Sequence, residues 1–404
     1  MQIESVREKN KSMKDKLIEL LKEIAFFAIN WLRKLICLVC LCFPIKKNDV
    51  FVNYFDGKGI GDHPKYIIRE LIKKDPTIKV YWVYRGKEKS NVENIEFVKP
   101  FSISAIFYQT TSKIWVSSVR MPYYSIKRKN QYYFQTWHGG LAFKRIEQEC
   151  EDALSRRYKR TCRHDSKMID YWVSSNADNT KLYKDYFWYQ GGEIMEVGSP
   201  RNDIFFSGDN SELKVKIRNQ YNLGGNKVVM YAPTFRKKDS FKAYNLNLNT
   251  LCECLEKKFG GKWKLIVRLH PRLAKDSEKF IEYSDTIIDG SKIDDIQELL
   301  SITDLLITDY SSIALDFMNT RRAVVIYASD IDDYKKDRDF HMELESTPFP
   351  IATNQTELEE AIDNFEYEKY RESLDAFMKK YDFFDNGHAS EKVAGKIYTL
   401  MQKC

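Results

Sequence analysis

From Asn48 onward, short apolar runs alternate with longer amphipathic stretches, and this alternation sets the expected fold class. The runs Val50 to Phe55, Val80 to Tyr84, Ile95 to Val98, Ile114 to Val116, Tyr132 to Trp137, Trp172 to Ser174 and Ile194 to Val197 read as strands, with helices near 64–73, 102–111, 147–170 and 177–188. A polar, glycine-containing break at Ser207 to Ser211 interrupts the series. It restarts with strands at Val228 to Ala232, Leu265 to Leu269, Thr286 to Ile288, Leu305 to Ile307 and Val324 to Tyr327, helices between them and four more helical segments after Thr356. Strand-helix alternation predicts a mainly parallel sheet. Two such series in tandem predict two Rossmann-like α/β bodies facing one another across a cleft. Ligands of these sheets collect beyond the carboxyl ends of the strands, and each polar motif below lies at such an end.

The first residues follow another pattern. Ile24 to Leu32 is apolar except for Asn30, Arg33 and Lys34 follow, and Leu35 to Ile45 is apolar again. A spanning helix needs about twenty uninterrupted apolar residues, and two adjacent cations at its midpoint are costly. The expectation is an amphipathic helix lying on an anionic membrane surface, with Phe26, Phe27, Trp31, Leu35 and Ile36 sinking and Lys16, Lys22, Arg33 and Lys34 meeting headgroups. The charge agrees. Residues 1–47 carry ten Lys/Arg against five acids, so +5 of the formal +7 of this 404-residue chain belongs to them. A late start and the Arg33-Lys34 pair argue against a signal peptide. Eight cysteines without zinc spacing read as reduced thiols, and 43% hydrophobic residues exclude a disordered chain.

The strand ends carry the candidate chemistry. Ile307-Thr308-Asp309-Tyr310-Ser311-Ser312 runs from a strand into an apolar-periodic helix, so unpaired N–H groups, the helix dipole and the two serine hydroxyls can hold a phosphate, with Asp309 as the cap. His138 closes another strand before Gly139-Gly140, where backbone can turn sharply against a ligand, and is a candidate general base. Arg268-Leu269-His270-Pro271-Arg272 forms a cationic mouth suited to a diphosphate. Gly198-Ser199-Pro200-Arg201-Asn202-Asp203 and Tyr231-Ala232-Pro233-Thr234-Phe235-Arg236 each set an arginine beyond a proline-terminated strand. The basic run Arg156 to His164, with Arg120, Lys127, Arg128, Lys129, Lys144 and Arg145, reads either as a solvated helix face or as a track for a polyanion. Nucleic acid is not the expected partner, because no binding module is present.

In the order Gln135-Thr136-Trp137-His138-Gly139-Gly140, Pro200-Arg201-Asn202-Asp203, Tyr231-Ala232-Pro233-Thr234-Phe235-Arg236, Arg268-Leu269-His270-Pro271 and Thr308-Asp309-Tyr310-Ser311-Ser312, these motifs resemble the CDP-glycerol glycerophosphotransferase family of teichoic acid primases and polymerases and their capsule relatives. Asp385-Asn386-Gly387-His388-Ala389-Ser390-Glu391 also matches. The resemblance implies a GT-B architecture, peripheral attachment to the cytoplasmic membrane face, and transfer of glycerol phosphate or ribitol phosphate from a CDP-activated donor to a lipid-linked polyanionic acceptor. His138 matches the family's catalytic histidine. His270, with Arg268 and Arg272, would neutralise the diphosphate, Thr308, Asp309, Ser311 and Ser312 would hold donor phosphate, and Asp316 would reach a ribose hydroxyl. Gly139, Gly140, Arg201, Asn202, Asp203, Thr234 and Arg236 complete the expected cleft.

One departure is local. The family most often carries Thr-Pro after Trp-His-Gly, whereas this chain has Gly140-Leu141, with Lys144-Arg145 following one position later than the usual lysine pair. The expected division is a membrane-associating segment (1–47), an acceptor domain (48–206), a CDP-donor domain (207–375) and a helical segment (376–404) packing back on the acceptor domain. No tightly bound cofactor and no metal cage are expected, with room for a divalent ion on the donor diphosphate. A UDP-sugar glycosyltransferase or epimerase, and a non-catalytic membrane scaffold, are the alternatives.

Overall fold

The computed structural model describes residues 13–86, 94–140, 143, 145–206, 211–234, 246–269, 277–278, 281–331 and 341–403. Its centre is a pair of fully parallel sheets. The first has the order β3-β2-β1-β4-β5-β6-β7, built from Lys46–Asn53 (β1), Lys79–Val83 (β2), Ile95–Val98 (β3), Ser112–Ser117 (β4), Tyr132–Gln135 (β5), Tyr171–Ser174 (β6) and Glu193–Glu196 (β7). The second has the order β10-β9-β8-β11-β12-β13, built from Lys227–Ala232 (β8), Trp263–Val267 (β9), Ile287–Asp289 (β10), Leu305–Thr308 (β11), Ala323–Tyr327 (β12) and Ile351–Ala352 (β13). In each sheet the chain winds one way and then reverses, so a crevice opens beyond the strand ends at the reversal point. Those points are β1/β4 and β8/β11.

The strands are apolar runs because both faces of a parallel sheet are covered. Val50 and Val52 point into one core with Val80, Trp82 and Ile114, while Phe51 points into the opposite core with Tyr81, Trp115 and Trp172. The final helix, Ala389–Gln402, inserts Val393, Ala394, Ile397, Leu400 and Met401 into the first of these cores. The preceding helix, Tyr367–Lys380, belongs to the second sheet's core through Tyr370, Leu374 and Phe377. A boundary at 375/376 therefore cuts a packed helix.

Other expectations shift. The stretch 147–170 is two elements, a 3-10 turn Glu147–Ala153 and a helix Arg156–Ser166 capped by the Ser155 hydroxyl on Tyr158 N. Where four helical segments were expected after Thr356, the described residues hold three helices, the first beginning just before that position: Gln355–Asp363, Tyr367–Lys380 and Ala389–Gln402.

The N-terminal helix spans Met13–Cys40. Its inner side buries Cys37 beside Ile106 and Tyr124, sets Arg33 over the Phe101 and Tyr124 rings, and pairs Glu19 and Glu23 with Arg157 and Arg160. Its outer side is apolar and open: Leu20, Ile24, Trp31, Leu32, Leu35 and Leu38 are each between 45% and 63% exposed. Among the described residues, no helix is long and apolar enough to cross a membrane.

Candidate active site

His138 lies beyond the end of β5, on a loop whose preceding residue, Trp137, has φ 51. A bulky residue with positive φ is strained, and such strain gathers where geometry is over-determined. The facing loop after β1 is unusual in the same way, with Phe55 at φ 40, Asp56 at φ 52 and Gly57 at φ 87 in succession. The Phe55 ring lies 4.7 Å and the Trp137 ring 4.1 Å from the His138 ring, centre to centre. Nδ1 of His138 is 2.8 Å from the Ser118 carbonyl. A carbonyl only accepts, so Nδ1 carries the proton and Nε2 presents its lone pair. Burial among these rings holds the imidazole below its ordinary 6.5, so it is neutral and basic at neutral pH.

The second sheet brings its serine turn to the same place. A Cβ on Gly139 would lie 3.8 Å from Ser312 Oγ, so the histidine loop and the serine turn face one another at close range across the two sheets. Ser312 Oγ has no protein partner among the described residues, and Ser311 and Ser312 are both half-buried. Gly140 is confined as well, since a Cβ there would collide with Ser175 Oγ. The helix after the turn is short, Ile313–Phe317, and begins at Ser312 without a side-chain cap. The hydroxyls and turn amides, rather than a long dipole, are what this turn offers an anion. Asp309, the expected cap, is engaged with the other loop. Its buried carboxylate accepts Thr234 N at 3.0 Å and Thr234 Oγ1 at 3.1 Å, which locks the loop after β8 to the loop after β11. Thr308 is fully buried and donates to Ala232 O, so it is a sheet residue and not a phosphate ligand.

Arg201 ties the two sheets together. Its Nη1 donates to Asp62 Oδ1 and to His138 O, both at 2.9 Å, and its Nη2 pairs with Asp316 Oδ2 at 2.8 Å. Arg201 is thus a positioning residue under the histidine loop rather than an arm reaching into the cleft. Asp316 is taken up by this pair and is not free for a ribose hydroxyl. Burial raises the Asp316 carboxyl, with Arg201 opposing. Burial also acts to raise Asp62, but Arg201 and His63 hold it below the ordinary range. Asn202 bridges the sheets too, accepting from Gln297 Nε2 at 2.9 Å. Asp203 leaves the cleft altogether: it accepts Ala389 N at 3.1 Å and Ser390 N at 2.6 Å, capping the final helix.

Asp385, in the segment that leads to that helix, accepts Ser199 N at 3.0 Å while its buried Oδ2 has no partner among the described residues. Burial pushes its carboxyl from 3.8 up to about 7. The folded state then holds a proton that the unfolded state releases, so stability falls as pH rises from 3.8 to about 7. Asp385→Asn is expected to remove this fall. Urea midpoints should show the variant more stable than the parent above neutral pH, by on the order of 1.4 kcal/mol for each pH unit that separates the folded and unfolded titrations.

Arg268 donates from Nη1 to Gly290 O at 2.9 Å and Ile293 O at 2.8 Å, shaping the loop after β10, and burial lowers its pKa. His270, Arg272 and Arg236 lie outside the described residues. The structure adds residues that the motif reading passed over: Asp62, His63 and Lys65, the last paired with Asp295 at 2.7 Å and Glu298 at 2.6 Å. Their signal was Gly61-Asp62-His63-Pro64, another polar strand-to-helix turn. The basic run is largely engaged. Arg157 and Arg160 bind the N-terminal helix and Arg163 binds Glu151. Arg120 is buried between Glu147 and Asp165 at 2.8 and 3.1 Å, so it cannot lie on a surface track.

Topology and site define an α/β protein with two parallel sheets whose reversal points converge on a neutral histidine and a serine turn. Residues 35–399 match the family model for CDP-glycerol:poly(glycerophosphate) glycerophosphotransferase, and the chain belongs to that family. It is 34% identical over 371 residues to the teichoic acid poly(glycerol phosphate) polymerase of Staphylococcus epidermidis, covering 88% of this chain and 51% of that protein. It is 29% identical to the teichoic acid glycerol-phosphate transferase of Staphylococcus aureus, covering 87% and 93%. A solved structure of the wall teichoic acid polymerase TagF matches with TM-score 0.81 at 30% identity, over 96% of this chain and 97% of that one, as does a TagF variant soaked with CDPG. The chain spans about half the length of the polymerases of Staphylococcus epidermidis and Bacillus subtilis, 51% and 49%.

Proposed function

We propose that this protein transfers glycerol phosphate or ribitol phosphate from a CDP-activated donor to a hydroxyl of a membrane-linked teichoic acid or capsule-type acceptor, releasing CMP. The observation that carries the reading is the approach of the Gly139 backbone to Ser312 Oγ, 3.8 Å from where a Cβ on Gly139 would stand, which supports one shared site for the base and the anion-accepting turn. His138 Nε2 takes the acceptor proton as the hydroxyl oxygen attacks the polyol-bearing phosphorus. The bond from that phosphorus to the bridging oxygen breaks, and CMP leaves with the electron pair. Ser311, Ser312 and the turn amides stabilise the charge that gathers on the diphosphate, as preorganised donors do. Gly139, Gly140 and Thr234 line the approach; His270, Arg272 and Arg236, which lie outside the described residues, are the further cationic groups that the sequence offers. The arrangement is read as GT-B, with the first sheet holding the acceptor and the second the donor. Residues 48–206 and 207–381 then form the two domains, the latter boundary moved past Tyr367–Lys380, and the remainder returns to the first. The side chains supply both base and charge neutralisation, so no tightly bound cofactor is called for, and a divalent ion would enter only with the donor diphosphate.

The test is a donor screen. CMP release with CDP-glycerol or CDP-ribitol is expected, and turnover of a UDP-sugar alone would overturn the reading.

The N-terminal helix is read as the anchor to an anionic membrane face on the cytoplasmic side. Truncation at residue 47 is a poor test, because β1 begins at Lys46 and Cys37 packs on Ile106 and Tyr124. Trp31→Glu with Leu35→Glu instead changes only outward positions, 62% and 46% exposed. Sedimentation with anionic vesicles should fall at least about tenfold, since each buried large apolar side chain is worth roughly 1.5–3 kcal/mol. Unchanged sedimentation would contradict the reading.

A further inference from the structure

The strongest feature not used by this chemistry is the connection behind the histidine loop. Glu147, Gln148 and Glu149 are consecutive on one turn that opens at Glu147 with φ 53, and each is tied to a different part of the molecule. Glu147 pairs with Arg120 at 2.8 Å and accepts from Tyr158, and Arg120 lies 5.7 Å from the centre of the Trp137 ring beside His138. Gln148 accepts Trp188 N at 2.7 Å. Glu149 reaches the second body, where its Oε1 is 2.6 Å from His341 Nδ1, and the other ring nitrogen of His341 is 3.2 Å from Asp178 Oδ2. The backbone completes the connection. His341 N donates to Phe143 O at 2.9 Å, and Phe143, five residues after His138, is buried in the core of the second sheet.

We propose that His341 is a positioning residue for the transfer reaction: as an imidazolium held by Glu149 and Asp178, it fixes the loop that carries His138 and Gly139 against the serine turn. This rests on the proposed donor chemistry for its kinetic arm only. Glu149 and Asp178 are the charged groups that face the ring among the described residues. Asp178 first, then Glu149, raise the imidazole pKa above 6.5 against the lowering by burial. The clamp is therefore charged below that raised value and is lost as pH rises through it. His138 supplies the opposite limb, becoming a base as pH rises through its lowered value. Turnover should be bell-shaped in pH, His138 on the acid side and His341 on the alkaline side.

The experiment compares the full chain with His341→Gln and His341→Arg, by CMP release from CDP-glycerol across pH and by amide hydrogen exchange of residues 137–143. His341→Gln is expected to lower kcat about tenfold with a smaller change in KM, to lose the alkaline limb, and to exchange faster in that segment. His341→Arg keeps the charge at every pH, so it should retain turnover without an alkaline limb. Should His341→Gln not fold, Glu149→Gln and Asp178→Asn each remove one partner and should give the same direction of change. Faster exchange in a protein that turns over neither CDP-glycerol nor CDP-ribitol upholds the clamp and removes the donor reading. Unaltered exchange and an unaltered alkaline limb overturn the clamp.

Discussion

His138→Ala is expected to abolish CMP release from CDP-glycerol, by about 10²–10⁴-fold if base catalysis is all that is lost, while donor binding by calorimetry persists. The expectation follows from the tautomer. Ser118 O fixes the proton on Nδ1, so Nε2 is the basic atom, and the lowered pKa keeps it unprotonated. In the parent, kcat/KM should rise through a value below 6.5 and stay level until the alkaline limb. His138→Gln tests the same point, since the amide restores hydrogen bonding but not basicity and should remain inactive.

Arg201→Met should cost more stability than any other change at the site. It leaves Asp62 and Asp316, 7% and 6% exposed, without their shared counter-charge and frees the His138 carbonyl. Breaking a buried pair by removing one partner costs about 3–5 kcal/mol, and here one cation serves two carboxylates. Chemical denaturation reads the loss. Adding Asp62→Asn should return part of it, because one uncompensated charge is then gone. Arg201→Lys should rescue poorly, since a single ammonium cannot reproduce three directed bonds to three partners.

Most strands were legible because a sheet covered on both faces writes itself as apolar runs, as in Val50 to Val52 and Leu305 to Ile307. β13 was not, because its two residues between Pro350 and Thr353 form no run. The split near Ser155 was missed since a capping serine inside a polar stretch looks like any other polar residue. At the site, the strand-end positions of His138, Ser311 and Ser312 were legible from local pattern alone. Their neighbours' roles were not, because those depend on partners far along the chain. Asp309 answers Thr234 from 75 residues away, Arg201 answers Asp62 from 139, and Asp203 answers Ser390 from 187. A short sequence window contains Asp or Arg in each case but not the partner that decides between ligand and brace. The same holds for the basic helix Arg156–Ser166, whose cations face Glu19 and Glu23 of a helix far upstream.

The most direct measurement is a crystal structure of the His138→Ala variant soaked with CDP-glycerol. The diphosphate should lie within hydrogen-bond distance of the Ser311 and Ser312 hydroxyls, with the polyol-bearing phosphorus turned toward the space vacated by the imidazole. A nucleotide bound on a surface remote from Gly139 and Ser312 would contradict the account.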